Sequence, residues 1–490
     1  MKDIYGGDAV PSQAWQTFFP DSEPDGDHQT DDRLRLSDLA KLARRTQRGI
    51  VGVARAGDRP TFTGILAAHL GAPLEDLEVV EESWPTYDHV NVQVGLDAWL
   101  ADPRRTHQLL GMTNFRHQEF GLTDLLRRSS GYGPLPGNVS WVSLASGPGG
   151  QVQRAVRAGI YLVSEGDTRA AVLLKAPDPE AGLGATQMHV VADTSGAAVE
   201  IASTVRRLSV EHNVFRGQVI SFGQDMFGER AGVLQFHVRP RMTAADVILP
   251  ADTLATIKRQ VVGVAEHRAR LLAARQHLKR GLLLYGPPGV GKTHSVRYLM
   301  SQLTGVTIIE LSGDSLALIS TACSVARTLQ PAMIVIEDVD LIAEDRDMYE
   351  GGQPLLFQLL NEMDGLAEDA DVVFLLTTNR ADVLEPALAS RPGRVDQAVE
   401  LELPDADARR ALFGLYRGGL VVDDSRLESV LDRTEGVTAS FLKELLRRAA
   451  LVAAEETDDQ PLTVSADQLD AALSDLLDTR NAMTRTLLGG

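Results

Sequence analysis

The sequence predicts an α/β protein: a parallel sheet flanked by helices and followed by a C-terminal helical lid, preceded by an N-terminal helical segment and a small α+β domain. Three observations predict it. From residue 281 to 401, apolar runs of strand length alternate with helix-compatible stretches, the order that builds a parallel sheet covered on both faces. Between the first strand and the first helix lies Gly286-Pro-Pro-Gly-Val-Gly-Lys-Thr293, which matches G-x-x-x-x-G-K-[ST]. From 405 to 478 the pattern is helical and lacks strand signals. At 490 residues the chain is too long for one core, so two or three domains are expected.

Taken in order, residues 1–32 are rich in Asp, Gly, Pro, Ser and Gln and bury too little to offset chain entropy, so a disordered acidic tail is expected. Trp15, Phe18 and Phe19 could give that tail a short docking motif. Over 33–130 helical spacing dominates, as in Leu36, Leu39 and Ala40, with Gly71-Ala-Pro73 and Trp84-Pro85 as punctuation. A Gly/Pro-rich stretch at 131–138 then opens the α+β domain, 131–245. Its strands are expected at 139–144, 160–164, 170–175, 188–192, 219–222 and 233–238, and its helix at 197–212. The large α/β subdomain, 246–404, starts with a helix at 253–274. Strands follow at 281–285, 306–311, 333–337, 372–377 and 397–401, and helices at 291–303, 314–329 and 353–363. Residues 405–480 form the lid; no internal repeat is evident, so one module is expected.

The formal charge of −19 argues against general nucleic-acid affinity, because neutralising phosphates needs clustered Lys and Arg. Arg104-Arg105, Arg127-Arg128 and Arg206-Arg207 supply local positive charge, and short runs of this kind are usually solvated helix faces. The single cysteine, Cys323, excludes an internal disulfide framework and fits a reducing cytoplasm. No apolar run approaches the roughly 18 residues that span a bilayer, and the polar N-terminus lacks a signal-peptide core, so a soluble cytoplasmic protein without membrane contact is expected. Arg outnumbers Lys 41 to 7, the mark of a GC-rich, bacterial genome. The histidines show no metal-ligand spacing and no H-E-x-x-H occurs.

The Gly286–Thr293 loop reads as a phosphate cradle. Its glycines turn successive N–H groups toward one anion, the helix that follows adds the partial positive charge of its N-terminus, Lys292 reaches the β/γ-phosphates and Thr293 ligates Mg²⁺. Met333–Ile336 lead into Glu337-Asp338, two carboxylates at the C-terminal end of a parallel strand, where ligands of open α/β sheets collect. One can help hold Mg²⁺ while the other polarises the attacking water. Asn379 closes the next strand and could orient that water, and Arg391 and Arg394 sit on a Pro-Gly turn as partners for charge on a transferring phosphoryl group. Taken singly, an acidic pair is also what a solvated loop shows, Asn379 what ends a strand and the two arginines what a surface turn carries. The phosphate loop upstream favours the catalytic reading.

Together these residues resemble the AAA ATPases, the unfoldase-type branch of the AAA+ superfamily, over about Thr253 to Thr479. Gln260-Val-Val-Gly263 is similar to the segment that packs on adenine, which assigns Val262 and Gly263 to the nucleotide. GPPGVGKT looks like Walker A, assigning Pro288, Gly289, Val290, Gly291, Lys292, Thr293 and the adjoining His294. MIVIEDVD resembles Walker B, and Leu359–Gly365 the helix after it. Asn379 matches sensor 1, Arg391 and Arg394 match arginine fingers, and Gly436-Val-Thr-Ala-Ser440 falls at sensor 2, with Ala439 near the nucleotide. The resemblance implies a P-loop AAA+ module that hydrolyses Mg²⁺-ATP in a homo-oligomeric ring, usually a hexamer, where each arginine pair reaches a neighbour's nucleotide.

Two departures qualify it. Walker B usually ends Asp-Glu; here Glu337 should serve the metal and the shorter Asp338 the water, which predicts slow turnover. The stretch where substrate-threading members carry an aromatic and a glycine is Leu316-Ala-Leu-Ile-Ser320, whose Leu318 and Ile319 could grip a polypeptide only by weaker apolar contact. The expected function is an ATP-driven remodeller of a protein substrate or adaptor recognised through 33–245. The alternative is a nucleotide-controlled assembly scaffold with little or no threading.

Overall fold

The computed structural model describes residues 61–113, 115, 120–127, 134–178, 184–224, 231–340, 355–380, 395–457 and 461–478. The expected acidic tail and its docking motif lie outside these residues.

The first described part is a three-layer α+β domain. In chain order it contains α1 (Phe62–Leu70), β1 (Val79–Pro85), α2 (His89–Leu100), β2 (Arg105–Thr113), α3 (Leu122–Leu126), β3 (Leu135–Gly137), β4 (Ser140–Ala145), β5 (Val152–Glu165), β6 (Thr168–Lys175), β7 (Ala185–Ala192) and α4 (Ala197–Glu211). The strands form one sheet in the order β1-β7-β6-β5-β2-β3, with β4 also paired to β5. Every pairing is antiparallel. Helices α2 and α4 cover one face, where Val92, Leu96 and Val205 meet Val172 and Val190. Helices α1 and α3 cover the other, where Leu66 and Leu122 meet Ile160 and Leu173. Because both faces are covered, central β6 reads as a continuous apolar run, Ala170–Leu174, rather than an alternation.

Two expectations change here. Residues 33–130 are not mainly helical where described: β1 and β2 are strands, and β2 pairs with β5 through Leu110 and Ile160, so a break at 130/131 would cut one sheet. Both strands lie toward the sheet's margins with polar residues such as Glu81, Glu82, Arg105 and His107, so their own sequence carries little strand period. Pairing with β7 and β5 decides their conformation.

The second part begins with a hairpin, β8 (Val219–Gln224) and β9 (Ala231–His237). There follow α5 (Ala251–Lys258), α6 (Val264–Ala273), β10 (Arg280–Tyr285), α7 (Lys292–Gln302), β11 (Thr307–Leu311), α8 (Ile319–Thr328), β12 (Ala332–Ile336), α9 (Leu355–Asp364), β13 (Val372–Thr378) and β14 (Gln397–Glu400). The sheet order is β14-β10-β13-β12-β11-β8-β9. All neighbours are parallel except β8 and β9. The hairpin therefore belongs to this sheet and not to the preceding domain, as the 131–245 boundary would have it. Val219 packs among the residues under α7, while Ile220 and Phe222 pack under α8 and α9, the two-sided burial of a strand inside a covered sheet. A π turn, Arg259–Gly263, joins α5 to α6 where one helix was expected.

The lid comprises α10 (Ala406–Arg417), β15 (Val421–Val422), α11 (Leu427–Arg433), α12 (Ala439–Glu456), β16 (Thr463–Val464) and α13 (Ala466–Leu477) around its own apolar core. Asp405, Thr438 and Ser465 cap α10, α12 and α13 by accepting first-turn N–H groups. A short parallel pair, Val421 with Thr463 and Val422 with Val464, adds strand to a subdomain expected to be all helix. Two-residue strands leave no periodic signal. Among the described residues, no helix is long and apolar enough to cross a membrane.

Candidate nucleotide site

The candidate site lies at the C-terminal edge of β10, β12 and β13. After β10 the chain turns through Gly286 (φ 145°), Gly289 (φ 83°) and Gly291 (φ 108°) before α7 starts at Lys292. At Gly286 a Cβ would stand 2.2 Å from the Leu401 carbonyl oxygen, so only glycine fits. The first α7 N–H to find a backbone partner is that of Ser295, which donates to Gly291 O at 2.8 Å. Among the described residues the N–H groups of 289–294 have no hydrogen-bond partner, which leaves a row of donors at a helix N-terminus suited to an oxyanion. Lys292 is buried, and its Nζ donates to Gly286 O (2.7 Å) and Pro287 O (2.8 Å). Burial holds its pKa below the usual lysine value, opposed by the charges of Asp338 and Asp340.

The acidic pair is clamped by its backbone. Glu337 N–H donates to Leu311 O (3.2 Å), Asp338 N–H to Thr377 Oγ1 (3.1 Å) and Val339 N–H to Thr377 O (2.9 Å), which fixes the turn after β12 between β11 and β13. Asp338 adopts φ 50°, a left-handed backbone that Asp tolerates better than most residues. Its Oδ1 accepts from Asn379 Nδ2 at 3.3 Å. The Glu337 carboxyl is raised first by burial and also by Asp338, with the Thr293 hydroxyl and the Arg297 charge acting to lower it. A hydroxyl and a carboxylate are the hard oxygen donors Mg²⁺ takes, so Thr293 and Glu337 fit a Mg²⁺-nucleotide on their chemistry.

Other expected site residues fall around the loop. Val262 and Val290 are buried in one apolar cluster, and Gly263 ends the π turn beside them. Pro288 is exposed on the loop, and His294 Nε2 lies 2.7 Å from Asp246 O, tying α7 to the connector before α5. Ala439 is buried at the start of α12. Its neighbour Ser440 donates its N–H to Gly289 O at 3.1 Å, so the lid closes directly on the phosphate loop. Arg391 and Arg394 lie outside the described residues.

The structure adds residues the motifs did not single out. Asp340 is buried and accepts from Thr378 Oγ1 at 2.8 Å, within the field that acts on Lys292. Its signal was present as the last letter of EDVD. Thr377 and Thr438 position their neighbours through contacts between elements, for which the sequence offers no spacing rule. Conversely, Ile319 and Leu316 are buried in the core beneath the sheet, and Leu318 packs against it, so Ile319 cannot grip a polypeptide as expected. Two of the arginine runs are neutralised: Arg104 pairs with Asp102 (2.7 Å), Arg105 with Glu165 (2.7 Å), Arg206 with Glu82 and Arg207 with Glu211 (2.9 Å), while Arg128 of the third lies outside the described residues.

Residues 282–403 match the family described as ATPase family associated with various cellular activities (AAA). Among curated relatives, "ATP-dependent zinc metalloprotease FtsH 4" of Sphaerobacter thermophilus is 33% identical over 261 residues, 50% of this chain and 39% of that protein. "ATP-dependent zinc metalloprotease FtsH" of Thermus thermophilus is 32% identical over 231 residues, 44% of this chain and 37% of that protein. A second Sphaerobacter thermophilus protein, "FtsH 2", is 35% identical over 232 residues, 44% of this chain and 35% of its own length. The match thus spans well under half the length of these relatives. With the strand order, the phosphate loop and the acid pair in place, the chain carries an AAA ATPase domain with homology to the AAA modules of FtsH proteins, an ATP hydrolase domain that uses ATP and Mg²⁺.

Proposed function

We propose that the protein couples Mg²⁺-ATP hydrolysis to the remodelling of a protein partner held by its N-terminal domain, working as a ring of identical subunits in the bacterial cytoplasm. The observation that supports this best is the convergence of the open N–H row of 289–294, the clamped Glu337-Asp338 turn and the Asn379–Asp338 hydrogen bond on one sheet edge. Thr293 and Glu337 would hold Mg²⁺, which when bound neutralises charge on the phosphate oxygens. Lys292 leaves the carbonyls of Gly286 and Pro287 to meet phosphate. Asp338 polarises the attacking water, and Asn379 fixes the carboxylate that does so. The left-handed backbone at Asp338 redirects its Cα–Cβ bond, which brings this shorter side chain to Asn379. Val262, Gly263 and Ala439 line the base, and Arg391 and Arg394 of the next subunit supply the positive charge the transition state needs.

A second reading, an assembly scaffold in which ATP closes the ring and hydrolysis resets it, is favoured by the burial of Leu316 and Ile319. The relatives are named as zinc metalloproteases; this sequence holds no H-E-x-x-H, and no proteolysis is proposed. The test of the core reading is Asp338→Asn. ATP turnover should fall about 10²–10⁴-fold, the range for removing a general base, with ATP binding retained. Undiminished turnover would refute the role of Asp338.

A further inference from the structure

In the N-terminal domain an open groove of about 260 Å³ lies between the C-terminal end of α2 and the strands β2, β4 and β5. Its walls include Leu100 and Leu109, and Asp97, His107, Trp141 and Tyr161 bring polar or aromatic groups to it. Asp97 is exposed, and among the described residues it has no ion-pair partner. One of its oxygens is fixed: Gln93 Nε2 donates to Oδ1 at 2.7 Å and to Tyr161 OH at 3.1 Å, while Gln93 Oε1 accepts from Val156 N–H at 2.9 Å. Gln93, anchored through its oxygen to β5, donates its amide N–H groups to the carboxylate and the phenol. Burial against the groove raises the Asp97 carboxyl above its ordinary pKa, opposed by the Gln93 hydrogen bond and the nearby His107.

Helix stability does not account for this acid. Asp97 lies in the last turn of α2, where the helix dipole disfavours negative charge. The same helix end already receives one guanidinium, since Arg105 Nη1 donates to Trp99 O at 2.6 Å. Trp141 is 41% exposed, and the Arg154 guanidinium carbon lies 4.6 Å from its ring centre, so the indole already takes a cation on a face. Apolar walls, an aromatic platform and a carboxylate without an ion-pair partner among the described residues, held in fixed geometry by Gln93, form a receptor for an organic cation. The groove is open on one side, so it suits a side chain whose other end continues outside.

We propose that this groove binds the basic side chain, guanidinium or alkylammonium, of a polypeptide partner, with Asp97 as its counter-charge and Trp141 as the surface it lies on. The proposal rests on the reading of the N-terminal domain as the part that chooses the partner, but its test is direct binding, which no ATPase assay shares, so either can fail alone. The 490-residue chain is titrated calorimetrically with acetyl-Gly-Arg-Gly-amide, its citrulline counterpart and choline. The arginine peptide should bind about tenfold more tightly than the citrulline peptide, the size of one desolvated cation–π or charge contact. Asp97→Asn, whose amide still accepts the Gln93 hydrogen bond, and Trp141→Ala should each weaken it by a similar factor, with unfolding temperature and unstimulated ATP turnover unchanged. Equal binding of the citrulline peptide, or wild-type binding by Asp97→Asn, would overturn the proposal. Choline binding more tightly than the peptide would overturn the polypeptide assignment in favour of a free small cation.

Discussion

Gly289 shows how one residue joins the two subdomains of the ATPase. Its carbonyl accepts the N–H of Ser440, its φ is 83°, and a Cβ there would meet Thr438 Oγ1 at 2.9 Å and the Ser440 Cβ at 3.0 Å. Gly289→Ala therefore adds left-handed strain of about 1–2 kcal/mol and presses the phosphate loop away from the start of α12. The expected result is an ATP Kd raised about tenfold or more, the equivalent of 1.4 kcal/mol, with an unfolding temperature close to wild type. Fluorescent-nucleotide titration checks it, and an unchanged Kd would show that the lid contact does not shape the site. The lid clasp itself was invisible in the motif, although the glycine was not. The phosphate loop, the acid pair and Asn379 were legible because their chemistry is set by short spacings at strand ends, which survive any detail of packing. The partners that orient them, Thr377, Thr378, Thr438 and Ser440, come from elements 38 to 151 residues away, and only the folded sheet and lid bring them in. Ile319 failed for the opposite reason: its apolar side chain suits a gripping loop and a core equally, and the core took it.

Helix α2 carries a titratable group on the side that packs on its sheet. His89 is buried at the helix start, with Nε2 3.0 Å from Val156 O. Burial lowers its pKa from 6.5 to about 4, assisted by Arg157 and opposed by the Val156 hydrogen bond. A folded-state pKa below the unfolded value means that the unfolded chain binds the extra proton first. The contribution is thus fully present above pH 6.5 and is lost as pH falls toward 4. At about 1.4 kcal/mol per pKa unit the loss approaches roughly 3 kcal/mol. Carboxyls with raised pKa, such as Asp88 and Asp97, pull the other way in part of this window, so the measurement is a difference. Denaturant unfolding of wild type and His89→Gln between pH 7 and 4 should show the variant losing less stability as pH falls, and parallel curves would contradict the assignment. At this scale, legibility followed burial on both faces. Strands β5 to β7 and β10 to β13 are apolar enough to declare themselves, whereas β1 and β2 become strands by pairing. The hairpin β8–β9 was seen as strand but given to the wrong sheet, because its neighbour β11 lies beyond the whole connector and α7. Arg239 secures that placement by donating to the carbonyls of Gly217, Met300, Leu303 and Val306 at 2.8–3.0 Å, binding the hairpin to the end of α7 and the start of β11.

Across the described molecule the N-terminal domain is seated on the ATPase sheet rather than linked to it by a free tether. Tyr87 packs against Phe215 and Phe222 with ring centres 6.4 and 5.7 Å apart, Val90 shares the core under α8 and α9, and Asn91 Oδ1 accepts Val214 N–H at 2.9 Å. Arg216 Nη1 adds a bond to Gln330 O, just before β12 and its acid pair. A partner pulling on the N-terminal domain therefore loads the same strands whose ends hold Glu337 and Asp338, which gives the proposed remodelling cycle a rigid path from nucleotide to partner. The remaining requirement is the positive charge that a transferring phosphoryl group needs beyond Lys292 and the N–H row. If Arg391 and Arg394 act on a neighbour's nucleotide, the Arg391→Ala, Arg394→Ala double variant should bind ATP yet turn over about 10³–10⁵-fold more slowly, the range for an arginine finger. Mixing it with the Asp338→Asn protein then pairs intact acids on one subunit with intact arginines on the next, so turnover should return although neither protein is active alone. Arginines that acted within their own subunit would leave the mixture as inactive as its parts, because no single chain in it holds both halves of the site.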